Sequence, residues 1–261
     1  MVNPYGILIS FSILLCILVV KSLLRNHVKE NKNFVAVRND KSTEDILWGL
    51  SLWAIIGGIA GARIYHILSM FPYYVQNPLK ILAVWDGGLG IWGAIVGGII
   101  STVIYLKRNK ENILYWLDLI SVVLPLGQAI GRWGNYFNGE IFGTPTNLPW
   151  GLYVPVYNRP EEYLSFTKFH PLFLYESILD IIFFFFLYFL YKKHKDSTPS
   201  GIFLSLYLGG YSIIRFFLEY LRIYSWKLGS LNVSQCISIL VLSFSIVFTK
   251  YLSTKMKRRK I

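Results

Sequence analysis

Apolar residues in this chain come in long unbroken stretches, and polar residues collect between them instead of alternating with them. Stretches of about 20 residues, the length that crosses ~30 Å of hydrocarbon as a helix, fall at 5–22, 46–69, 88–106, 113–130, 171–191, 201–220 and 233–250. The pattern predicts an all-α polytopic membrane protein with seven transmembrane helices, read as a single integral-membrane domain over residues 1–261. The first stretch has no basic residue before it and no small-residue cleavage site, and Lys21 follows it. It therefore reads as a retained helix, not a secretory signal. Between the fourth and fifth stretches, "TPTNLPWGLYVPVYNRPEEYLSFTKFH" (144–170) mixes prolines, polar residues and aromatics, which predicts a small extracytoplasmic lobe. Gly57 and Gly61, and Gly93 and Gly97, are spaced four apart, as in helices whose backbones approach closely.

Composition agrees with the pattern. Hydrophobic residues make up 54 % and charged ones 15 %, against about 25 % charged in a soluble domain. The net charge of +12 could suit nucleic acid or a membrane surface, so the placement of the bases decides. Lys21, Arg25, Lys29, Lys32, Arg38 and Lys41 follow the first stretch, and Lys107, Arg108 and Lys110 follow the third. Lys192, Lys193 and Lys195 follow the fifth, and Lys250, Lys255, Lys257, Arg258, Arg259 and Lys260 close the chain. In a seven-helix zigzag all of these lie on one side, which the positive-inside rule makes the cytoplasm. The N-terminus is then outside and the C-terminus inside. The basic tail reads as an anchor on anionic lipid, at about 1 kcal/mol per charge, and no nucleic-acid partner is expected. Cys16 and Cys236 lie in apolar stretches as small buried hydrophobes. Neither a disulfide framework nor a metal or cofactor is expected.

Against this background, ionisable residues inside the apolar stretches stand out, because arginine at mid-membrane costs ~2.5–3.5 kcal/mol on insertion scales. In "YSIIRFFLEYLR", Tyr211, Arg215 and Glu219 stand at i, i+4 and i+8, with Arg222 three later, so one helix face is polar. Arg215 and Glu219 can simply neutralise each other and pin two helices, or they can serve a ligand. The stretch "GRWGNYFNGEIFG" (131–143) adds Gly131, Gly134, Gly139 and Gly143 around Arg132, Asn135, Asn138 and Glu140. Its glycines permit unusual backbone, so it reads as a loop lining a cavity. Arg132 offers a planar fork suited to phosphate, the two amides offer donors and acceptors, and Glu140 can hold an arginine. Two arginines from separate helices, each braced by a carboxylate, suit a phospholipid headgroup, a carboxylate substrate or a channel constriction. A transporter or channel for a small anion is the alternative reading, but no internal repeat is visible. A membrane hydrolase or protease would need H-E-x-x-H or G-x-S-x-G, and neither occurs.

"GRWGNYFNGE" resembles the signature of the bacterial prolipoprotein diacylglyceryl transferases. The resemblance extends, in order, through "PYGILI", "GARIYHIL", "WDGGLGIWGAIVGG", "HPLFLYES" and "GIFLSLYLGGYSIIRFFLEYLR". It implies a seven-helix plasma-membrane enzyme that moves diacylglycerol from phosphatidylglycerol to the lipobox cysteine in the signal peptide of a preprolipoprotein, releasing glycerol 1-phosphate. Membrane lipid and that signal peptide are the implied partners. Carried over residue by residue, the resemblance makes Arg132 and Arg215 the catalytic pair, binding the headgroup phosphate and stabilising its developing charge. Tyr5, Asn135, Asn138, Gly143, Tyr211 and His170 become pocket candidates, and Glu140 and Glu219 orient arginines.

One departure concerns the chemistry directly. Many members of the family carry a histidine, often considered a general base, where this chain has Trp92. An indole accepts no proton, so the base lies elsewhere or the arginine field suffices. His170 in "HPLFLYE" is the nearest alternative by motif, though a histidine before a proline at a helix start can also be just a cap. Phe173 stands where the family often has glutamine.

Overall fold

The computed structural model describes residues 4–30, 42–223 and 226–259, with backbone only at 4, 5, 26–30, 86, 228 and 257–259. Eight α-helices are present among these: α1 (Pro4–Glu30), α2 (Thr43–Ser69), α3 (Phe71–Gln76), α4 (Ile91–Arg108), α5 (Ile113–Phe137), α6 (Leu172–His194), α7 (Ile202–Leu218) and α8 (Val233–Arg259). Seven of them are long and apolar enough to cross a membrane, the short α3 being the exception. This is the all-α polytopic membrane protein expected from the pattern. Helix α5 continues seven residues past the predicted end at 130, through Phe137, and α1 and α8 likewise run on, to Glu30 and Arg259, past the predicted ends at 22 and 250.

The chain forms two compact units, Leu24–Trp116 and a second made of Met1–Leu23 with Leu117–Ile261. In the first, α2 starts at a capping box: Ser42 Oγ accepts from the Asp45 amide at 3.1 Å while Asp45 accepts from the Ser42 amide at 2.9 Å. The four-residue glycine spacing works as expected. A Cβ at Gly97 would run into the backbone oxygen of Gly57 and lie 2.9 Å from Gly61 Cα, so α2 and α4 meet backbone to backbone. Arg63, one of the membrane arginines, is structural. Its Nε donates to Ile81 O (2.9 Å), Nη1 to Gly87 O (2.7 Å) and Gly88 O (3.1 Å), and Nη2 to Ala83 O (3.1 Å) and Lys80 O. All five donors of the fork are thereby spent on one loop. His66 packs edge-on to Tyr74 with ring centres 5.9 Å apart. Trp92 sits in the first turn of α4 and is exposed.

In the second unit, α7 begins at Gly201, and a side chain from another helix caps it. Asp118 of α5, buried, accepts from the amides of Gly201 (2.6 Å) and Leu204 (2.8 Å). These are donors a helix start cannot satisfy itself. Helices α7 and α8 are joined by reciprocal serine bonds, Ser205 Oγ to Ser245 O (2.8 Å) and Ser245 Oγ to Ser205 O (2.6 Å), the small polar contacts that stand in for hydrophobic driving force in lipid. Cys16 is half-buried, its thiol 3.5 Å from Val123 O. The segment between α5 and α6 carries only short elements. It contains strands β1 (Leu152–Tyr153) and β2 (Lys168–Phe169), antiparallel with Leu152 opposite Phe169. A second short ribbon, β3 (Lys227–Leu228) and β4 (Leu231–Asn232), turns at Gly229 and leads into α8.

Candidate active site

The stretch 131–143 is mostly helix, not the loop its glycines suggested. Residues 131–137 form the last two turns of α5, and the helix stops at Gly139. Gly139 has φ +64°, the Glu140 amide donates to Asn135 O and the Gly139 amide to Tyr136 O, each at 3.0 Å. That is a Schellman stop with glycine in the left-handed position. In hydrocarbon the backbone must bond to itself, so the helix runs on through Gly131 and Gly134 despite their low propensity. Arg132 and Asn135, three apart, consequently share a face. Gly143 is needed for space and not for conformation: a Cβ there would lie 2.8 Å from Leu221 O and 2.9 Å from His170 Cβ, where the chain also bridges to Arg222.

Arg132 on α5 and Arg215 on α7 converge on Glu176 of α6. Arg132 Nη2 lies 2.6 Å from Glu176 Oε1, and Arg215 Nη1 lies 3.5 Å from the other oxygen, Oε2. The Tyr211 hydroxyl donates to Glu176 Oε1 at 3.0 Å and is 3.4 Å from Arg132 Nη2. Arg215 Nη2 also binds Glu219 Oε2 at 2.9 Å, and Arg222 Nη1 reaches the same oxygen at 3.6 Å. Three guanidiniums thus share two carboxylates. Glu176 and Glu219 are 2 % and 1 % exposed, whereas Arg132 and Arg215 keep 21 % and 20 % of their side chains open. Each fork has five N–H donors, more than these carboxylates use, so an outside anion finds donors on fixed side chains.

The amides form the adjoining wall. Asn135 Nδ2 and Asn138 Nδ2 both donate to Glu140 Oε1, at 3.0 and 3.1 Å, and Asn135 Oδ1 faces Arg132 Nη1 at 3.4 Å. Glu140 was expected to hold an arginine; it holds the two amides instead, because the Schellman turn folds it back over the end of α5. Glu219 does brace Arg215, as expected. His170 is not in the cluster. Its Nδ1 lies 3.2 Å from the Tyr175 hydroxyl, which also accepts from Trp150 Nε1 at 2.9 Å. Phe173 packs on Tyr136 and Trp133, with centroids 4.9 and 5.4 Å away. The side chain of Tyr5 lies outside the described residues. Glu176, the carboxylate at the centre, was missed among the candidates although "HPLFLYES" contains it. Its signal was present: Glu176 and Asp180 stand four apart in the apolar run "YESILDIIFFFF", a placement that is costly in lipid unless partnered. Asp180 lies one turn farther along α6, fully buried, and neither oxygen has a hydrogen-bond partner among the described residues.

A family model described as prolipoprotein diacylglyceryl transferase matches residues 1–251. The chain belongs to the prolipoprotein diacylglyceryl transferase family. Among its relatives, a phosphatidylglycerol--prolipoprotein diacylglyceryl transferase of Nostoc sp. is 45 % identical over 75 % of this chain and 70 % of its own length. Proteins of the same name from Synechococcus elongatus and Fervidobacterium nodosum are 38 % and 42 % identical, over 93 % and 83 % of this chain and 81 % and 73 % of theirs. Family membership makes this chain a multi-pass membrane transferase, and the cluster of Arg132, Glu176 and Arg215 is the candidate for its active site.

Proposed function

We propose that this protein transfers the diacylglyceryl group of phosphatidylglycerol to the lipobox cysteine thiol of preprolipoproteins, forming a thioether and releasing glycerol 1-phosphate. The observation that carries the site assignment is the convergence of Arg132 and Arg215, from separate helices, on one buried carboxylate while each keeps an open side. In this reading the headgroup phosphate docks on the open N–H groups of both forks. As the C–O bond breaks, negative charge collects on the phosphate oxygens, and donors already aimed there stabilise it without reorganising. The same positive field favours the thiolate, the stronger nucleophile. Glu140 keeps the amides of Asn135 and Asn138 facing the headgroup hydroxyls, and Glu219 keeps Arg215 in position.

The distribution of the basic segments supports a cytoplasmic C-terminus and an N-terminus outside the bacterial plasma membrane. The lobe at 144–170 then faces the side on which a signal peptide presents its lipobox. The test is to incubate purified protein in phosphatidylglycerol vesicles with a lipobox peptide. The expected result is a mass gain of one diacylglyceryl group on the peptide cysteine, with one glycerol phosphate released per product. An unmodified peptide, or a peptide acylated through an ester, would refute the assignment.

A further inference from the structure

Transfer requires the attacking thiol to lose a proton, and the identity of its acceptor is a question that rests on the transferase reading. The site holds few groups able to receive it. Glu140 is engaged by two amides, Glu219 by two guanidiniums, His170 lies in the Tyr175–Trp150 contact, and Asp180 is fully buried with no hydrogen-bonded group among the described residues to relay a proton to it. Glu176 is different. Like Glu219 it is held by two guanidiniums, those of Arg132 and Arg215, which a phosphate would also attract, but its Oε1 accepts from a hydroxyl as well. That hydroxyl, on half-buried Tyr211, points its proton at Glu176 Oε1 at 3.0 Å. Glu176 is buried, so a substrate meets Tyr211 first.

We propose that Glu176 is the acceptor of the thiol proton and that the proton reaches it through the Tyr211 hydroxyl. A docked phosphodiester competes for the N–H groups now bonded to Glu176, and the carboxylate lone pairs come free. Tyr211 then passes its own proton to Glu176 Oε1 while its oxygen takes the proton of the thiol, leaving a thiolate, an intact phenol and a carboxylic acid. The thiolate electron pair forms the C–S bond at the glycerol carbon. The C–O bond breaks, and its electron pair stays on the departing phosphate oxygen. The proton on Glu176 returns through the same hydroxyl to the glycerol phosphate, which restores both side chains. Binding of the lipid thereby switches on the acceptor, so no proton is taken until both substrates are present.

The test uses the full chain in phosphatidylglycerol vesicles and two lipobox peptides, one with cysteine and one with selenocysteine, whose selenol is ionised at neutral pH and needs no acceptor. Loss of a general base typically lowers the rate ~10²- to 10⁴-fold, and Glu176→Gln is expected to fall in that range with the thiol peptide. With the selenol peptide the same variant should stay within about tenfold of the unaltered chain. Tyr211→Phe should behave alike, and it decides the matter alone if Glu176→Gln does not fold. Equal losses on both peptides would mean that Glu176 and Tyr211 only hold the arginines, which overturns the proposal, as would thiol rates close to those of the unaltered chain. If the unaltered chain modifies neither peptide, the transferase reading itself falls and takes this proposal with it.

Discussion

Glu140 and Glu176 show how far single residues can be read from a sequence. Both carboxylates belong to conspicuous segments, but which partner each one chooses depends on where the backbone turns. Glu140 was legible as a bracing residue; that it braces amides is a result of the Schellman turn at Gly139, which spacing alone did not reveal. Gly139 is accordingly sensitive. Left-handed backbone costs a residue with a Cβ ~1–2 kcal/mol, and a Cβ here would also lie 2.5 Å from Asn158 Nδ2. Gly139→Ala is expected to destabilise the folded protein by about that amount in thermal unfolding, whereas Gly131→Ala, with nothing within 4 Å, should not. His170 makes the opposite case. Its motif position suggested a base, yet its ring bonds to Tyr175 and not to the arginine cluster. A lost general base would cost ~10²-fold or more. His170→Ala should therefore lower transfer by less than about tenfold, and a collapse to background would restore it as the proton acceptor.

At the scale of elements, the apolar stretches located all seven spanning helices, because hydrocarbon leaves the backbone no partner except itself. The same rule explains the one element misread. By propensity the glycines in 131–143 favour a loop, and propensity yields to the membrane's demand for continuous hydrogen bonding. The glycines of α2 and α4 were legible for a different reason, since their spacing encodes a packing face directly. At Gly97 a Cβ would strike the partner backbone, but at Gly98 it would meet only Ala54 O at 3.7 Å. Overpacking typically costs ~1–3 kcal/mol, so Gly97→Ala should lower thermal stability by that much while Gly98→Ala leaves it nearly unchanged. Equal effects would mean that the two helices do not meet at these residues. The cap on α7 could not have been foreseen, because Asp118 lies 83 residues from Gly201 in the chain. Losing a helix cap costs ~0.5–2 kcal/mol, and Asp118→Ala is expected to reach the upper part of that range because it leaves two amides bare, that of Gly201 buried and that of Leu204 part-buried.

At the scale of the whole molecule, seven spans and the basic connections between them define a topology that can be tested directly. Labels near residues 30, 110, 195 and 258 should be reached only from the cytoplasmic side, and labels near 75, 155 and 228 only from outside. Mixed accessibility within either group would mean that the spans are miscounted. The function was legible through the resemblance that a short polar signature carries, because the charges in the apolar chain by themselves left a phospholipid headgroup, a carboxylate substrate and a channel constriction open. The proton acceptor was not legible, since it depends on three helices meeting at Glu176. The central claim is that two rigid guanidinium forks hold and stabilise the phosphate, and single-turnover transfer by Arg132→Ala, Arg132→Lys and Arg215→Ala tests it most directly. Removing one preorganised donor typically costs ~10²- to 10³-fold. Each alanine variant should lose that much while remaining folded in the membrane, and Arg132→Lys should also fail because a point charge cannot replace the fork. Near-normal transfer by either alanine variant would contradict the account.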